Sequence, residues 1–308
     1  MVQAGLHHGA VQIAQTAGGA RMLASAILGK KPMLLEVHGR QAWCHTGGQP
    51  FDPARPVAVL VHGALNDHSV WLAQAQALTA SGVAVLAPDL PGHGRSAGPA
   101  LASVGALADW LLDLLGAAGA ERVMLAGHSM GALIALQAAM RAPGRVSGLA
   151  LLGATYPMRV SDALLASARD DEAAAIQLVA TWSHAHAEAN PATIGAARAL
   201  MQHLAASAPT PGRLLYTDLN ACNRWTDGEA AAASLSCPVL LVQGDKDKMT
   251  PPRSAARLTG LIQAATRATV VTVDAGHAML AEAAEAASSA LVDFALSHDL
   301  GLADLPLR

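Results

Sequence analysis

Gly127-His128-Ser129-Met130-Gly131 has the form G-x-S-x-G. It directly follows an apolar run, VMLAG, and precedes a helix-forming stretch, ALIALQAAM. A serine on such a sharp strand-to-helix turn has its hydroxyl lifted clear of the sheet, provided the flanking residues are small. The helix that begins there favours negative charge at its N-terminus. The chemistry that suits this arrangement is nucleophilic attack, and a hydroxyl needs a base for it. Among thirteen histidines, His277 is the candidate, following the last strand signal as Asp274-Ala275-Gly276-His277. That is the C-terminal edge, where parallel sheets place their sites. The base in turn needs an orienting carboxylate. Residues 244–251 read Gly-Asp-Lys-Asp-Lys-Met-Thr-Pro and offer two acids. Asp247, between Gly244 and Pro251, falls at the tip of a turn and is the first choice. Asp245 is the second, with turn capping as its other role.

An acyl-transfer site also needs N–H donors for a developing oxyanion. One expected donor is the backbone of Met130, next to the serine. The other belongs to the loop His62-Gly63-Ala64-Leu65. Ala64 is the first choice there and Leu65 the second.

These residues need a frame to hold them. Eight strand signals occur, at 34–38, 41–45, 57–62, 83–87, 123–127, 146–153, 238–244 and 268–273. The first two flank Gly39-Arg40 and read as a hairpin. Continuous runs such as VAVLVH suit strands buried on both faces. Helical patterns separate the later strands, near 70–80, 103–116, 131–141, 252–264 and 279–296. Alternation of this kind predicts an α/β fold with a mostly parallel sheet. Residues 155–235 break the rhythm, being Ala-rich with no β-branched run. That is too long for a loop, so a helical insertion is expected.

Composition narrows the function further. Hydrophobic residues make up 52% and charged residues 14%, with a net charge of −3, so no basic face for nucleic acid is expected. No purely apolar run reaches 18 residues, so no membrane span is expected. Cys44, Cys222 and Cys237 give neither a disulfide framework nor a metal pair, which suits a reducing, cytoplasmic setting. In residues 10–29 the apolar character precedes Lys30 and Lys31, the reverse of a secretory signal. An N-terminal helical extension over 1–32, or a start assigned ahead of Met33, is expected instead. His184 and His186, two apart with no acid cluster, do not read as metal ligands.

Taken in order, the motifs resemble the α/β-hydrolase superfamily in its lidded bacterial branch. They are His62-Gly63-Ala64, the segment from Pro88 to Ser96 (PDLPGHGRS), the elbow at Ser129, Gly244-x-x-Asp247-x-x-x-Pro251 and Gly276-His277. The resemblance implies an eight-stranded core at 33–154 and 236–308 with a helical lid (cap) at 155–235. It also implies a Ser129, Asp247, His277 triad. In that frame His62 pins the oxyanion loop, His93 and Arg95 hold their own loop, and His128 is structural. The implied activity is serine-dependent cleavage of a small or medium carboxylic ester, without cofactor or metal. Short acyl chains are expected, because no extended apolar lid surface is evident. Alternatives using the same triad are C–C bond hydrolase, lactonase, thioesterase and cofactor-free haloperoxidase. The C–C hydrolases usually carry a second Gly after the elbow, where Ala132 stands here. A non-hydrolytic binder that kept the fold is the alternative from a different class. Nine aromatic residues leave a short roll of pocket candidates. Leu65, Trp71, Tyr156, Trp182, Tyr216 and Trp225 are the expected substrate contacts, the lid rings being equally able to pack the lid's own core. A homodimer is compatible with the sequence.

Overall fold

The computed structural model describes residues 32–185, 191–209 and 213–297. The expected N-terminal extension therefore lies outside the described residues, apart from its last position.

Eight strands form one sheet: β1 (Met33–Val37), β2 (Arg40–His45), β3 (Val57–Val61), β4 (Ala84–Pro88), β5 (Val123–His128), β6 (Val146–Leu152), β7 (Val239–Gly244) and β8 (Ala268–Val273). Their spatial order is β1-β2-β4-β3-β5-β6-β7-β8. The β1–β2 and β2–β4 pairings are antiparallel and every later one is parallel. The hairpin turn falls at His38-Gly39, one residue earlier than the sequence suggested. Both residues have positive φ, 52° and 72°, as a two-residue hairpin turn demands. Val37 then pairs with Arg40.

The central strands are buried on both faces, so period-two alternation sorts their side chains between two cores rather than between core and water. Val57, Val59 and Val61 of β3 join one core, and Ala58 and Leu60 join the other. The first core is closed by α2 (Val104–Ala117) and α3 (Met130–Arg141), through residues such as Leu111 and Leu133. The second is closed by α1 (Leu72–Ala80) and by Leu291 and Phe294 near the C-terminal end.

Between β6 and β7 the described residues make five helices: α4 (Asp162–Asp170), α5 (Glu172–Trp182), α6 (Pro191–Ser207), α7 (Leu214–Arg224) and α8 (Gly228–Ala233). Four of them carry a third apolar cluster that includes Leu164, Ile176, Leu204 and Leu215. After β7 come α9 (Pro252–Ala265), β8 and a closing pair, α10 (Met279–Glu282) and α11 (Ala284–Ser297). The single closing helix expected from periodicity is broken at Ala283, whose φ and ψ are −127° and 45°. The short α10 leaves Glu282 free to bond the loop ahead of it.

Candidate active site

Ser129 stands between the end of β5 and the start of α3, with φ 56° and ψ −118°. Non-glycine residues seldom adopt positive φ, and such strain concentrates at functional sites. The turn closes this tightly because its neighbours lack side chains. A Cβ on Gly127 would lie 2.5 Å from Ala132 N, and one on Gly131 would lie 2.6 Å from His62 O. The Ser129 N–H donates to Leu152 O at 2.9 Å, tying the turn to β6.

Asp247 follows β7 and His277 follows β8, so adjacent parallel strands deliver them to one sheet edge. His277 Nδ1 donates to Asp247 Oδ2 at 2.8 Å, and both residues are buried. Three more donors reach the carboxylate. The N–H groups of Met249 and Thr250 bond Oδ1 at 2.8 Å each, and Thr250 Oγ1 bonds Oδ2 at 2.7 Å. Burial alone would raise the Asp247 pKa; the His277 charge and these hydrogen bonds outweigh it and hold the carboxyl well below its usual range. Asp245, the second choice, accepts from Ala275 N at 3.2 Å and does not meet His277.

The His277 loop is held from three sides. Gly153, at the end of β6, has φ 59°, and a Cβ there would lie 3.2 Å from the His277 ring. His128 Nε2 donates to the His277 carbonyl at 2.8 Å. Burial, together with the His277 charge, pushes the His128 pKa down to about 3, so this ring stays neutral. From the insertion, Ser183 O accepts from Ala278 N at 2.7 Å. Glu282 accepts from Gly276 N at 2.8 Å and from Ala185 N at 2.9 Å, joining loop and insertion.

The loop after β3 is pinned as well. His62 Nδ1 donates to Gly63 O at 2.9 Å, and its Nε2 accepts from Leu90 N at 3.0 Å. Burial and the nearby His93 charge push His62 down to about 4, consistent with a neutral ring in that tautomer. Among the described residues, neither the Ala64 N–H nor the Met130 N–H has an acceptor. The Leu65 N–H does have one, because it donates to Asp218 Oδ2 at 2.8 Å. Leu65 is thereby removed from the choice of oxyanion donors.

Ser129, His277 and Ala64 face one cavity of about 560 Å³. Val179, Leu200, Met201, Leu215 and Leu219 of the insertion form one wall, and Val70, Leu72 and Leu280 form another. No described lining residue is Asp, Glu, Lys, Arg, Phe, Trp or Tyr. His184 also lines it; its Nδ1 donates to Ala180 O at 2.8 Å, leaving Nε2 as the ring's other polar edge.

The six expected substrate contacts lie elsewhere. Leu65 is fully buried in the insertion's apolar cluster. Trp71 is fully buried in the second core with Ala75 and Leu78, while its neighbours Val70 and Leu72 line the cavity. Tyr156 and Trp225 pack edge to face at 5.5 Å; their polar ends bond Thr226 O and Gln137 Oε1. Trp182 ends α5 with 41% of its surface exposed. Tyr216 packs on the insertion's own cluster. Helical rotation accounts for Trp182 and Tyr216: α5 turns Val179 and Ala180 to the cavity, and α7 turns Leu215 and Leu219. On the insertion's side, aliphatic side chains rather than Trp or Tyr rings make the wall.

Sequence reasoning also passed over Gly153, Glu282 and Asp218. Only Asp218 carried a local signal, as a lone acid within the buried stripe Leu215, Leu219, Cys222 of α7. Of groups able to gather three metal-ligand atoms, the described residues contain Asp67, His68 and Asp89. Asp89 there already accepts from His68 N, His68 Nδ1 and Arg95 N at 2.7–2.9 Å, so it serves to fold the loop. The three cysteines are free and buried, and burial pushes the Cys44 thiol up to about 12.

The family model for the alpha/beta hydrolase fold matches residues 56–284. A Variovorax paradoxus protein named as a carbamate hydrolase, RutD, is 30% identical over 240 residues, covering 74% of this chain and 83% of its own. The acetyltransferase component of the Pseudomonas putida acetoin cleaving system is 41% identical over 127 residues, 40% of this chain. The match spans only 33% of that protein's length. The enol-lactonase of Burkholderia xenovorans LB400 superposes with a TM-score of 0.73 at 23% identity, over 85% of this chain and 99% of its own. With the sheet order, the strained serine turn and a family match spanning residues 56–284, the chain belongs to the α/β-hydrolase family.

Proposed function

We propose that this protein is a serine hydrolase that cleaves a neutral carboxylic ester bearing a medium-length aliphatic acyl group. The observation that carries the reading is the Asp247–His277 hydrogen bond, set against the same cavity as the strained Ser129.

His277, held by Asp247 through Nδ1, presents Nε2 as the base. It takes the Ser129 Oγ proton as Oγ bonds to the ester carbonyl carbon. The Ala64 and Met130 N–H groups receive the negative charge that forms on the carbonyl oxygen. The tetrahedral intermediate collapses, the ester C–O bond breaks, and His277 returns the proton to the leaving alcohol. Water, deprotonated by the same imidazole, then attacks the acyl-serine and frees the acid and Ser129.

Chain length follows from the wall. No extended apolar surface is evident on the insertion from its residues alone, yet Val179, Leu200, Met201, Leu215 and Leu219 provide one. A cavity of about 560 Å³ exceeds what an acetyl group needs, so the expectation moves from short chains in general to an optimum between butyrate and octanoate.

Two measurements test the reading. Wild type should react covalently with a fluorophosphonate probe, and Ser129→Ala should not. On p-nitrophenyl esters from acetate to palmitate, activity should peak at medium length and vanish in the variant. A folded wild type that resists the probe, or a variant that keeps esterase activity, overturns it. Carbamate cleavage, the activity in the name of the Variovorax relative, is the second reading. It would use the same groups, and a p-nitrophenyl carbamate in the same assay separates the two.

A further inference from the structure

We infer that Asp218, a residue of the insertion, is a positioning residue for the oxyanion site, acting through the Ala64–Leu65 peptide. This rests on the acyl-transfer reading of Ser129.

Two peptide planes orient the Ala64 N–H. The Gly63 carbonyl is held by His62 Nδ1 at 2.9 Å. In a planar trans peptide the N–H lies opposite the carbonyl, so this bond aims the Ala64 N–H the other way. The next plane is held at both ends: Ala64 O accepts from Asn66 Nδ2 at 3.1 Å, and the Leu65 N–H donates to Asp218 Oδ2 at 2.8 Å. Ala64 thus sits between two fixed planes, one set by the core and the other by the insertion.

The second plane needs holding. Leu65 has φ 48°, in the left-handed region that strains a residue with a Cβ. A loop under that strain relaxes by rotating the Ala64–Leu65 peptide unless something opposes it. Besides the Asn66 bond within the loop, two contacts do so, and both come from the insertion. The Leu65 side chain is buried among Leu164, Ile176 and Leu215, and its N–H is on Asp218.

Asp218 is itself fixed. His93 Nε2 bonds the same Oδ2 at 2.8 Å, and His93 Nδ1 faces Pro91 O at 3.1 Å. Both ring nitrogens face acceptors, so His93 donates from both and is an imidazolium. Its side chain and that of Asp218 are each 1% exposed. A buried charge pair of this kind is weak evidence for stability, but it fixes geometry. The oxygen that positions Leu65 cannot turn away without leaving the His93 charge unpaired.

The test compares three variants by kcat and KM on p-nitrophenyl butyrate, by thermal unfolding and by amide exchange at Leu65. Asp218→Ala should lower kcat about 10–100-fold while KM stays within about twofold, since a misplaced donor costs less than a missing one. Asp218→Asn keeps an acceptor oxygen and should recover kcat to within about threefold of wild type. The double variant His93→Leu with Asp218→Leu removes both charges, so no buried ion is stranded and the fold is kept. Its kcat should fall as far as that of Asp218→Ala at near-native melting temperature. In both variants lacking the acceptor, Leu65 N–H should exchange faster. A folded double variant with wild-type kcat and wild-type Leu65 protection overturns the proposal. If the two variants lacking the acceptor lose Leu65 protection while wild type turns over no ester, the failure lies instead in the acyl-transfer reading.

Discussion

Replacing Ser129 by glycine is expected to abolish activity and to raise stability. The serine backbone sits at φ 56°, ψ −118°, which a residue with a Cβ reaches only under strain. Such positions cost about 1–3 kcal/mol, and glycine occupies them freely. Glycine in turn loses about 0.5–1 kcal/mol more conformational entropy on folding than alanine does. The net gain over Ser129→Ala is then about 1 kcal/mol, or about 2 °C in melting temperature for a chain of this size. Alanine is the proper reference, because both variants lack Oγ and differ only in the Cβ. Thermal unfolding of the two inactive proteins, followed by circular dichroism or calorimetry, reads the difference directly. If Ser129→Gly melts at or below Ser129→Ala, the turn stores no strain, and the account of why this position holds a nucleophile fails.

Asp247→Asn should preserve the fold but leave His277 without its orienting charge, lowering kcat by about 10³–10⁴-fold in steady-state assays. The pH dependence of stability should have two separate limbs. The Asp247 pKa is depressed in the fold, so its contribution is present above the usual carboxylate value near 4 and is lost as pH falls through the depressed value. For His93, burial alone would lower the pKa, but the Asp218 charge and hydrogen bond raise it overall. Its contribution is full below about 6.5 and is lost as pH rises through the raised value. Melting temperatures across pH should show Asp247→Asn flattening the acid limb and His93→Gln flattening the alkaline one. A wild-type alkaline limb in His93→Gln would refute the second assignment. Because no described lining residue is charged, a p-nitrophenyl hemiglutarate should be turned over at least about 100-fold less efficiently than the pentanoate. Equal kcat/KM for the two esters would show a cation in reach of the acyl chain.

The sequence was most informative where one local rule decides the outcome. The eight strands followed from β-branched runs and helical intervals. The elbow followed from Gly127 and Gly131, because close approach of β5 and α3 permits no side chain there. The pairing of Asp247 with His277 was legible because each follows a parallel strand and must arrive at the same edge. The wall of the cavity was not legible. Whether Leu215 or Tyr216 faces the opening depends on the rotation of α7, which is set by packing against its neighbours and not by its own residues. Asp218 failed for a related reason. An acid in an apolar stripe announces a buried partner, but its partners, Leu65 and His93, lie 153 and 125 residues away.

The Asp218 contacts also bear on how separable the insertion is. Its boundaries near 155 and 235 look like places where one segment could be exchanged for another to change specificity. The carboxylate beneath the Leu65 N–H would leave with the exchanged piece, and His93 would stay behind as an uncompensated cation in the core. A graft made at those boundaries therefore fails for electrostatic reasons before substrate choice comes into play, unless the incoming helix carries an acid at the matching position. The unit of inheritance for this site is the insertion together with residues 62–66 and His93, not the stretch of chain that interrupts the sheet.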